Sequence, residues 1–216
     1  IVAATSNPDV HVVLADLSSQ ADVRALAAEV REAYGRVDVL VNNAGLLSPR
    51  RETTVDGTEM TLAVNHLAPF LLTNLLLDRL GRVVTVTSAL HARGRIDVDA
   101  LDGPRRYSAW GAYNRSKLAT VLFTLELARR AEGRVRAVCV HPGTVASSFY
   151  DGMPPAAQPL IRVAKRFMTT SDEAAEAVAW LATADIADGY YVGRRPATPS
   201  RAALDPVLPG RPSGGR

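Results

Sequence analysis

The chain has 216 residues, a length that fits one domain, and 47% of them are apolar, which is enough to bury a substantial core. The formal charge of +3 comes from Arg residues scattered along the chain, without a basic run that would track phosphates, so nucleic-acid binding is not expected. The longest apolar stretch, residues 67–77, is interrupted and too short to cross a bilayer, so we expect no membrane span. The His residues lack metal-ligand spacing, which argues against a metal site. The single cysteine lies in an apolar run and predicts a reducing, cytoplasmic location.

Short β-branched or apolar runs alternate with segments of helical periodicity along the chain. The predicted strands are residues 10–15, 37–41, 83–87 and 135–140, with a short last strand at 190–192. The predicted helices are residues 23–34, about 57–80, about 111–131, 155–168 and 172–184. Ser19 with Asp22, and Thr170 with Glu173, have the spacing of residues that cap helix starts.

The predicted strands are apolar throughout instead of alternating, which indicates burial on both faces. Their regular interleaving with helices predicts right-handed βαβ units and a doubly wound parallel α/β sheet of the Rossmann type. We expect one domain over residues 1–204. Residues 205–216 are rich in Pro, Gly, Arg and Ser without periodicity and are predicted to be a disordered tail.

Tyr113 and Lys117 are four residues apart in a predicted helix, so their side chains share one face. A neighbouring ammonium favours phenolate and lowers the pKa of a tyrosine, which allows proton exchange near neutral pH. The chain has only two lysines, 117 and 165, against six tyrosines, which makes a chance pair uncommon. An ordinary surface pair is the alternative interpretation.

Other polar or turn-forming residues follow the predicted strands, at the sheet edge where parallel sheets bind ligands. They are Asp16, residues 42–45, Ser88 and residues 142–144. In order along the chain, these motifs together with Asn65 and Tyr113-x-x-x-Lys117 resemble the short-chain dehydrogenase/reductase family over about residues 8–203. Three segments resemble its retinol-dehydrogenase-like branch: Tyr-Ser-Ala-Trp-Gly-Ala-Tyr-Asn-Arg-Ser-Lys-Leu-Ala, Val-Asn-His-Leu-Ala-Pro-Phe-Leu-Leu-Thr and Arg-Arg-Pro-Ala-Thr-Pro-Ser.

The resemblance implies a role for each catalytic position. Tyr113 would be the general acid or base, and Lys117 would lower the pKa of Tyr113 and bind the nicotinamide ribose. Ser88 would donate a hydrogen bond to the reacting oxygen. Asn65 would hold a water that links Lys117 to solvent.

The resemblance also implies an NAD or NADP site at the strand ends. Asp16 would meet the adenine end, and the turn Asn43-Ala44-Gly45 would lie against the cofactor, with Gly45 permitting close backbone approach. Pro142, Gly143 and Thr144 would meet the nicotinamide end.

Several of these residues have a second interpretation. Thr87 is an alternative to Ser88 as the working hydroxyl, and Ser88 is alternatively a strand cap. Asn65 is alternatively a structural hydrogen-bonding residue, and Asp16 alternatively caps the turn that follows it. Thr144 and Ser147 compete for the nicotinamide contact.

The family's glycine-rich turn is missing, because neither Gly-x-x-x-Gly-x-Gly nor Gly-x-Gly-x-x-Gly occurs in the chain. Residues 10–15 resemble the family's third strand, so we expect an N-terminally truncated fold in which the strands that normally lie between 10–15 and 37–41 are missing. The isolated chain is therefore expected to bind cofactor poorly and to be marginally stable.

The resulting functional prediction is an NAD(P)-dependent oxidoreductase that interconverts a small hydrophobic alcohol and its carbonyl. The alternative is a non-catalytic fragment or interaction module that keeps the fold. A sugar-nucleotide epimerase is less favoured, because the chain leaves little room for its larger substrate domain. The apolar faces of the helices at about 57–80 and 111–131 suit a homodimer interface.

Overall fold

The chain forms a single sheet flanked by helices in a computed structural model that describes residues 5–97, 106–143 and 169–204. The strands are β1 Val37–Asn42, β2 Leu80–Val86, β3 Arg136–His141, β4 Gly189–Val192 and β5 Arg195–Pro196. They lie side by side in that order. β1 to β4 run parallel, and β5 returns antiparallel to β4. The four predicted strands from residue 37 onward are thus confirmed.

Helices connect the strands as predicted for βαβ units. They are α1 Gln20–Ala33, α2 Met60–Leu62, α3 Ala68–Leu76, α4 Ala109–Ala131, α5 Ser171–Thr183 and α6 Arg201–Leu204. A π-helical turn, Ala63–Leu67, joins α2 to α3, and 3₁₀ turns occupy Leu77–Arg79 and Ala89–Arg93. The predicted helix at 155–168 and the predicted tail at 205–216 lie outside the described residues.

The helix starts follow from their capping residues. The Ser19 hydroxyl accepts the Asp22 N–H at the start of α1. Thr170 and Glu173 form a reciprocal capping box at the start of α5. Both predicted caps are confirmed, and each satisfies backbone donors that a helix end otherwise leaves unpaired.

Helices cover both faces of the sheet. Val83 is fully buried on one face against Ala27 of α1 and Leu127 of α4. The next residue, Val84, is fully buried on the opposite face against Leu181 of α5. Because successive strand residues point to opposite faces, this pair confirms the doubly wound, Rossmann-like architecture.

The predicted strand at residues 10–15 is wrong. This segment has no strand structure, and Val12 and Leu14 are 79% and 91% exposed. A strand requires a neighbour that pairs with its backbone. Within the described residues β1 pairs with β2 alone, so nothing in this part of the chain provides a ladder for residues 10–15.

One described segment, Met60–Arg79, is long and apolar enough to cross a membrane by length and composition. Half of its apolar window is buried within the protein, and the expected absence of a membrane span stays a prediction. Cys139 is buried in β3, where it packs as a small hydrophobic side chain. The cytoplasmic location stays a prediction.

Candidate active site

The long helix α4 brings Tyr113 and Lys117 together at the carboxyl end of β2. Ser108 caps the helix through the Gly111 N–H, which places Tyr113 in its second turn. The Lys117 Nζ atom donates a 3.0 Å hydrogen bond to the carbonyl oxygen of Val86, the last residue of β2. The same atom lies 5.7 Å from the centre of the Tyr113 ring. The shared helix face predicted from the four-residue spacing is therefore present.

Burial changes the acidity of Lys117. The residue is 4% exposed, and this burial lowers the pKa of the Lys117 ammonium to about 8. Desolvation penalises the charged form of an amine, and here it outweighs the hydrogen bond to the Val86 carbonyl. The amine consequently changes its charge near pH 8 and stays mostly protonated at neutral pH, which suits a group that assists proton transfer.

Asn65 ties the turn after β1 to α4. Its Oδ1 atom accepts the Leu46 N–H at 2.8 Å, and its Nδ2 atom donates to the Leu46 carbonyl at 2.9 Å and to Ser116 Oγ at 3.0 Å. The residue is 2% exposed. These bonds match the structural interpretation of Asn65, whereas its role in holding a water stays a prediction.

The backbone around Asn65 is unusual because it lies in the π-helical turn. Turns of this kind are rare and occur often at functional sites. The Thr120 hydroxyl lies 3.2 Å from the Asn65 carbonyl oxygen, so α4 also contacts the widened turn. Asn65 is thus held through both its side chain and its backbone.

Gly45 lies against Lys117 and Asn65 at the end of β1. A Cβ atom placed on Gly45 would lie 3.4 Å from Lys117 Nζ and 3.5 Å from Asn65 Oδ1. Asn43, Ala44 and Gly45 are all exposed, while Asn42 before them is buried and donates to Thr73 Oγ1 at 3.1 Å. The turn therefore presents an open backbone surface directly above the buried amine.

The two hydroxyls after β2 have different surroundings. Thr87 is 3% exposed, and its hydroxyl donates to the Lys117 carbonyl at 3.1 Å. Ser88 is half-buried, and its hydroxyl accepts the Leu90 N–H at 3.3 Å at the start of a 3₁₀ turn. Thr87 is thus engaged in holding β2 against α4, while the Ser88 hydroxyl keeps its proton for another acceptor.

The remaining predicted residues are only partly described. Asp16 is exposed, and hydrogen bonds from the Ser18 backbone and side chain lower the pKa of its carboxyl group, which matches the turn-capping interpretation. Pro142 and Gly143 follow β3, and Gly143 has a φ of +108°. A Cβ atom on Gly143 would collide with the side chain of Thr169. Thr144 and Ser147 lie outside the described residues.

Sequence reasoning missed two supporting residues. Ser116 donates to the Tyr113 carbonyl at 2.8 Å and accepts from Asn65, and its position three residues after Tyr113 was the available signal. The buried carboxylate of Glu59 accepts the Thr61 and Leu62 N–H groups at the start of α2. The Tyr107 hydroxyl lies 3.2 Å from that carboxylate and 2.9 Å from the Ser48 carbonyl oxygen. Glu59 thereby contributes to fixing the turn after β1, but nothing in its sequence position indicated this.

Comparisons with known proteins agree with the fold and with the resemblance to the short-chain dehydrogenase/reductase family. The family model described as short chain dehydrogenase matches residues 2–155. The chain is 39% identical over 210 residues to a candidate daunorubicin C-13 ketoreductase, DnrU, of Streptomyces sp. (strain C5), covering 90% of this chain and 69% of that protein. It is 46% identical over 146 residues to human retinol dehydrogenase 13, covering 64% of this chain and 44% of the relative. Human retinol dehydrogenase 14 is 41% identical over 183 residues, with 81% of this chain and 54% of the relative covered. The chain thus spans about half the length of these retinol dehydrogenases.

Solved structures show the same fold. A crystal structure of an uncharacterised protein from Mycobacterium paratuberculosis matches with a TM-score of 0.70 and 36% identity, covering 94% of this chain and 72% of the other. A short chain dehydrogenase from Burkholderia cenocepacia J2315, solved in complex with NADP, matches with a TM-score of 0.62 and 27% identity, covering 89% and 76% of the two chains. The chain belongs to the short chain dehydrogenase family, in its retinol-dehydrogenase-like branch.

Proposed function

We propose that this chain carries the proton-transfer centre of an NAD(P)-dependent oxidoreductase that interconverts a hydrophobic alcohol and its carbonyl. The observation that carries the proposal is the buried Lys117 amine, bonded to the end of β2 and adjacent to the Tyr113 ring beneath the exposed turn at Gly45. Relatives named as retinol dehydrogenases and as a candidate ketoreductase support the substrate class.

Tyr113 is the proposed proton carrier. In alcohol oxidation its phenolate oxygen removes the hydroxyl proton, and in carbonyl reduction its hydroxyl returns that proton to the oxygen. The positive charge of Lys117, held near the ring, favours the phenolate form. Ser88, whose proton is not used in capping the turn, donates to the reacting oxygen as charge develops there.

The residues fit the nicotinamide end of a dinucleotide better than its pyrophosphate end. Gly45 lacks a side chain where Lys117 Nζ and Asn65 Oδ1 approach, so that only glycine backbone lies between the exposed turn and the amine that would bind a ribose hydroxyl. When bound, the nicotinamide cofactor supplies or accepts the hydride. No glycine-rich phosphate-binding turn occurs in this sequence, so the contact of Asp16 with the adenine end stays a prediction.

Substitution of Tyr113 by Phe tests the proposal. Turnover of retinol with NADP⁺, or of daunorubicin with NADPH, is measured at millimolar cofactor to offset the weak binding expected of this chain. We expect Tyr113→Phe to lower turnover by about 10²- to 10⁴-fold, the usual worth of a general acid or base. Tyr34→Phe, at a phenol that is 44% exposed at the end of α1, is the control and retains activity. Equal turnover by Tyr113→Phe and the native chain would refute the role of Tyr113.

The same proteins separate the enzyme from an interaction module. A module that merely keeps the fold shows no turnover in the native chain, and Tyr113→Phe leaves its partner affinity unchanged. Cofactor affinity is measured by NADPH fluorescence titration, in which we expect binding weaker than micromolar. Micromolar binding by this chain contradicts the expected loss of the pyrophosphate contacts.

The predicted homodimer has a specific candidate surface. A groove of about 1090 Å³ lies between α3 and α4, and Phe70 on its wall is 44% exposed. A second copy of this surface would bury both grooves across a twofold axis. Sedimentation velocity tests this with Phe70→Lys, which we expect to be monomeric. Val55→Lys, at a site that is 87% exposed outside the groove, is the control.

A further inference from the structure

His91 lies directly behind the proposed catalytic hydroxyl. It belongs to the 3₁₀ turn Ala89–Arg93, and its own backbone N–H donates to the carbonyl of Ser88, the residue before that turn. His91 is 3% exposed. Its ring packs against Tyr190 of β4 with 5.1 Å between ring centroids. A buried imidazole in this position has both nitrogens engaged: Nδ1 lies 2.8 Å from the Ser88 carbonyl oxygen, and Nε2 lies 3.1 Å from the Ser200 backbone nitrogen.

The chemistry of the two partners fixes the tautomer. A backbone N–H only donates, so Nε2 accepts the hydrogen bond from Ser200 and carries no proton. The proton of the neutral ring then lies on Nδ1, which donates to the Ser88 carbonyl. That carbonyl also accepts the His91 backbone N–H at 3.0 Å. Ser88 is thus held in its extended conformation, φ −147° and ψ 151°, by two donors from one residue.

The Nε2 atom of the imidazole accepts a hydrogen bond from the C-terminal part of the described chain. Ser200 precedes α6, and its carbonyl accepts the Ala203 N–H at 2.9 Å. Ala203 is 5% exposed and packs in one cluster with Leu118 and Ala119 of α4. The segment around Ser200 therefore contacts the helix that carries Tyr113 and Lys117, and His91 links the same segment to Ser88.

We propose that His91 is a positioning residue for Ser88, with Nδ1–H fixing the serine backbone and Nε2 anchoring the 197–204 segment. This proposal rests on the function proposed above, because it assigns Ser88 as the donor to the reacting oxygen. His91 does not touch the reacting atoms. It acts by keeping the Ser88 hydroxyl at a constant distance and direction from Tyr113, and small displacements of such donors reduce rates strongly.

Two substitutions separate the functions of the two nitrogens. Asn places an amide near the position of Nδ1, so His91→Asn keeps a donor to Ser88 and loses the Ser200 bond. Gln reaches the position of Nε2, so His91→Gln keeps an acceptor for Ser200 and loses the donor to Ser88. Both variants remove the same buried ring, so both lower the melting temperature. His11→Asn, at an exposed histidine, is the control and leaves stability and turnover unchanged.

Turnover distinguishes positioning from mere packing. We expect the kcat of His91→Gln to be at least about fivefold lower than that of His91→Asn, with KM values within about twofold, since loss of one hydrogen bond is worth about 1 kcal/mol. Equal kcat losses in the two variants overturn the proposal, because a residue that only fills space does not discriminate between its nitrogens.

A spectroscopic measurement tests the tautomer independently of activity. Long-range ¹H–¹⁵N correlation spectra of the native chain report which imidazole nitrogen of His91 carries the proton. We expect the Nδ1–H form, with a signal that His91→Asn removes. A proton on Nε2 would overturn the positioning proposal even if the protein is active. If instead Nδ1 carries the proton but the chain shows no turnover, the proposed function is refuted while the hydrogen bond to Ser88 is established.

Discussion

The candidate site and the segment at residues 10–16 differ in the sequence separation of the residues that they contact. Asn65 bonds to Leu46 and Ser116, Lys117 bonds to Val86, and both residues are buried. Asp16, in contrast, bonds to Ser18, Ser19 and Asp22, and Val12 and Leu14 beside it are exposed. The site is held by elements distant in sequence, whereas the segment has local turns alone. Substitutions should therefore be costly in the site and nearly silent in the segment.

Matched leucine substitutions test this contrast most directly. Leu118, next to Lys117 on α4, is 1% exposed, while Leu14 is 91% exposed. We expect Leu118→Ala to lower the free energy of unfolding by about 2–5 kcal/mol, because a buried side chain is lost and a cavity remains. Leu14→Ala should change it by less than about 0.5 kcal/mol. Urea unfolding followed by circular dichroism measures both, and equal losses would remove the distinction between the two regions.

The buried amine provides a second test, through pH. The pKa of Lys117 is about 8 in the folded chain against an ordinary value of 10.5, so between these values the unfolded chain binds more protons. Stability of the native chain should therefore rise as pH increases from 8 to 10.5, by up to about 3 kcal/mol at about 1.4 kcal/mol per pH unit. Lys117→Met lacks this group.

The measurement is the free energy of unfolding, at pH 7 and pH 10, of a chain that keeps Lys117 and of Lys117→Met. Both proteins carry Tyr113→Phe, which removes the phenol that is coupled to the amine, so the remaining titrating groups, which lie away from Lys117, contribute nearly equally and cancel in the difference. We expect the chain that keeps Lys117 to gain stability relative to Lys117→Met at the higher pH. Parallel pH profiles would show that Lys117 is not desolvated.

The smallest expected difference in stability is between substitutions of two glycines that have a positive φ. Gly143 at the site has φ +108° and no room for a Cβ atom beside Thr169. Gly133, after α4, has φ +80°, and a Cβ atom there would have no neighbour within 4 Å among the described residues. We expect Gly133→Ala to cost about 1 kcal/mol from backbone strain and Gly143→Ala to cost about 1–3 kcal/mol more from the clash. Thermal unfolding compares them, and similar melting temperatures would contradict the tight packing at the end of β3.

The sequence predicted the elements whose signals are local. Apolar runs located β1 to β4, and the Thr170–Glu173 spacing located the start of α5. The four-residue spacing of Tyr113 and Lys117 predicted their proximity because helix geometry determines it. The strand at 10–15 was wrong because its composition favours a strand but pairing depends on a distant partner.

The parts of the site that depend on tertiary contacts were not predictable. Nothing in the local pattern indicates that Asn65 bonds to Leu46, that Glu59 caps α2, or that the imidazole of His91 joins Ser88 to Ser200. The bonds of Asn65 to Leu46 and of His91 to Ser200 connect residues that the fold brings together from distant parts of the chain, whereas the Glu59 cap is local but uses a residue type that is not among the usual N-caps. Side chains that hold a site in place are therefore harder to infer from sequence than those that carry its chemistry.

The π-helical turn at Ala63–Leu67 determines the direction in which the side chains before α3 point. Its closing bond runs from the Ala68 N–H to the Ala63 carbonyl, one residue longer than an α-helical bond. Since each α-helical residue advances by roughly 100°, deleting one residue from the turn would rotate everything before it by about that angle relative to α3. Either the amide of Asn65 would then point away from Leu46 and Ser116, or the Glu59 carboxylate would point away from the Tyr107 hydroxyl. The extra residue thus allows one continuous helical segment to direct both buried polar side chains toward their partners, which a uniform α-helix would not do.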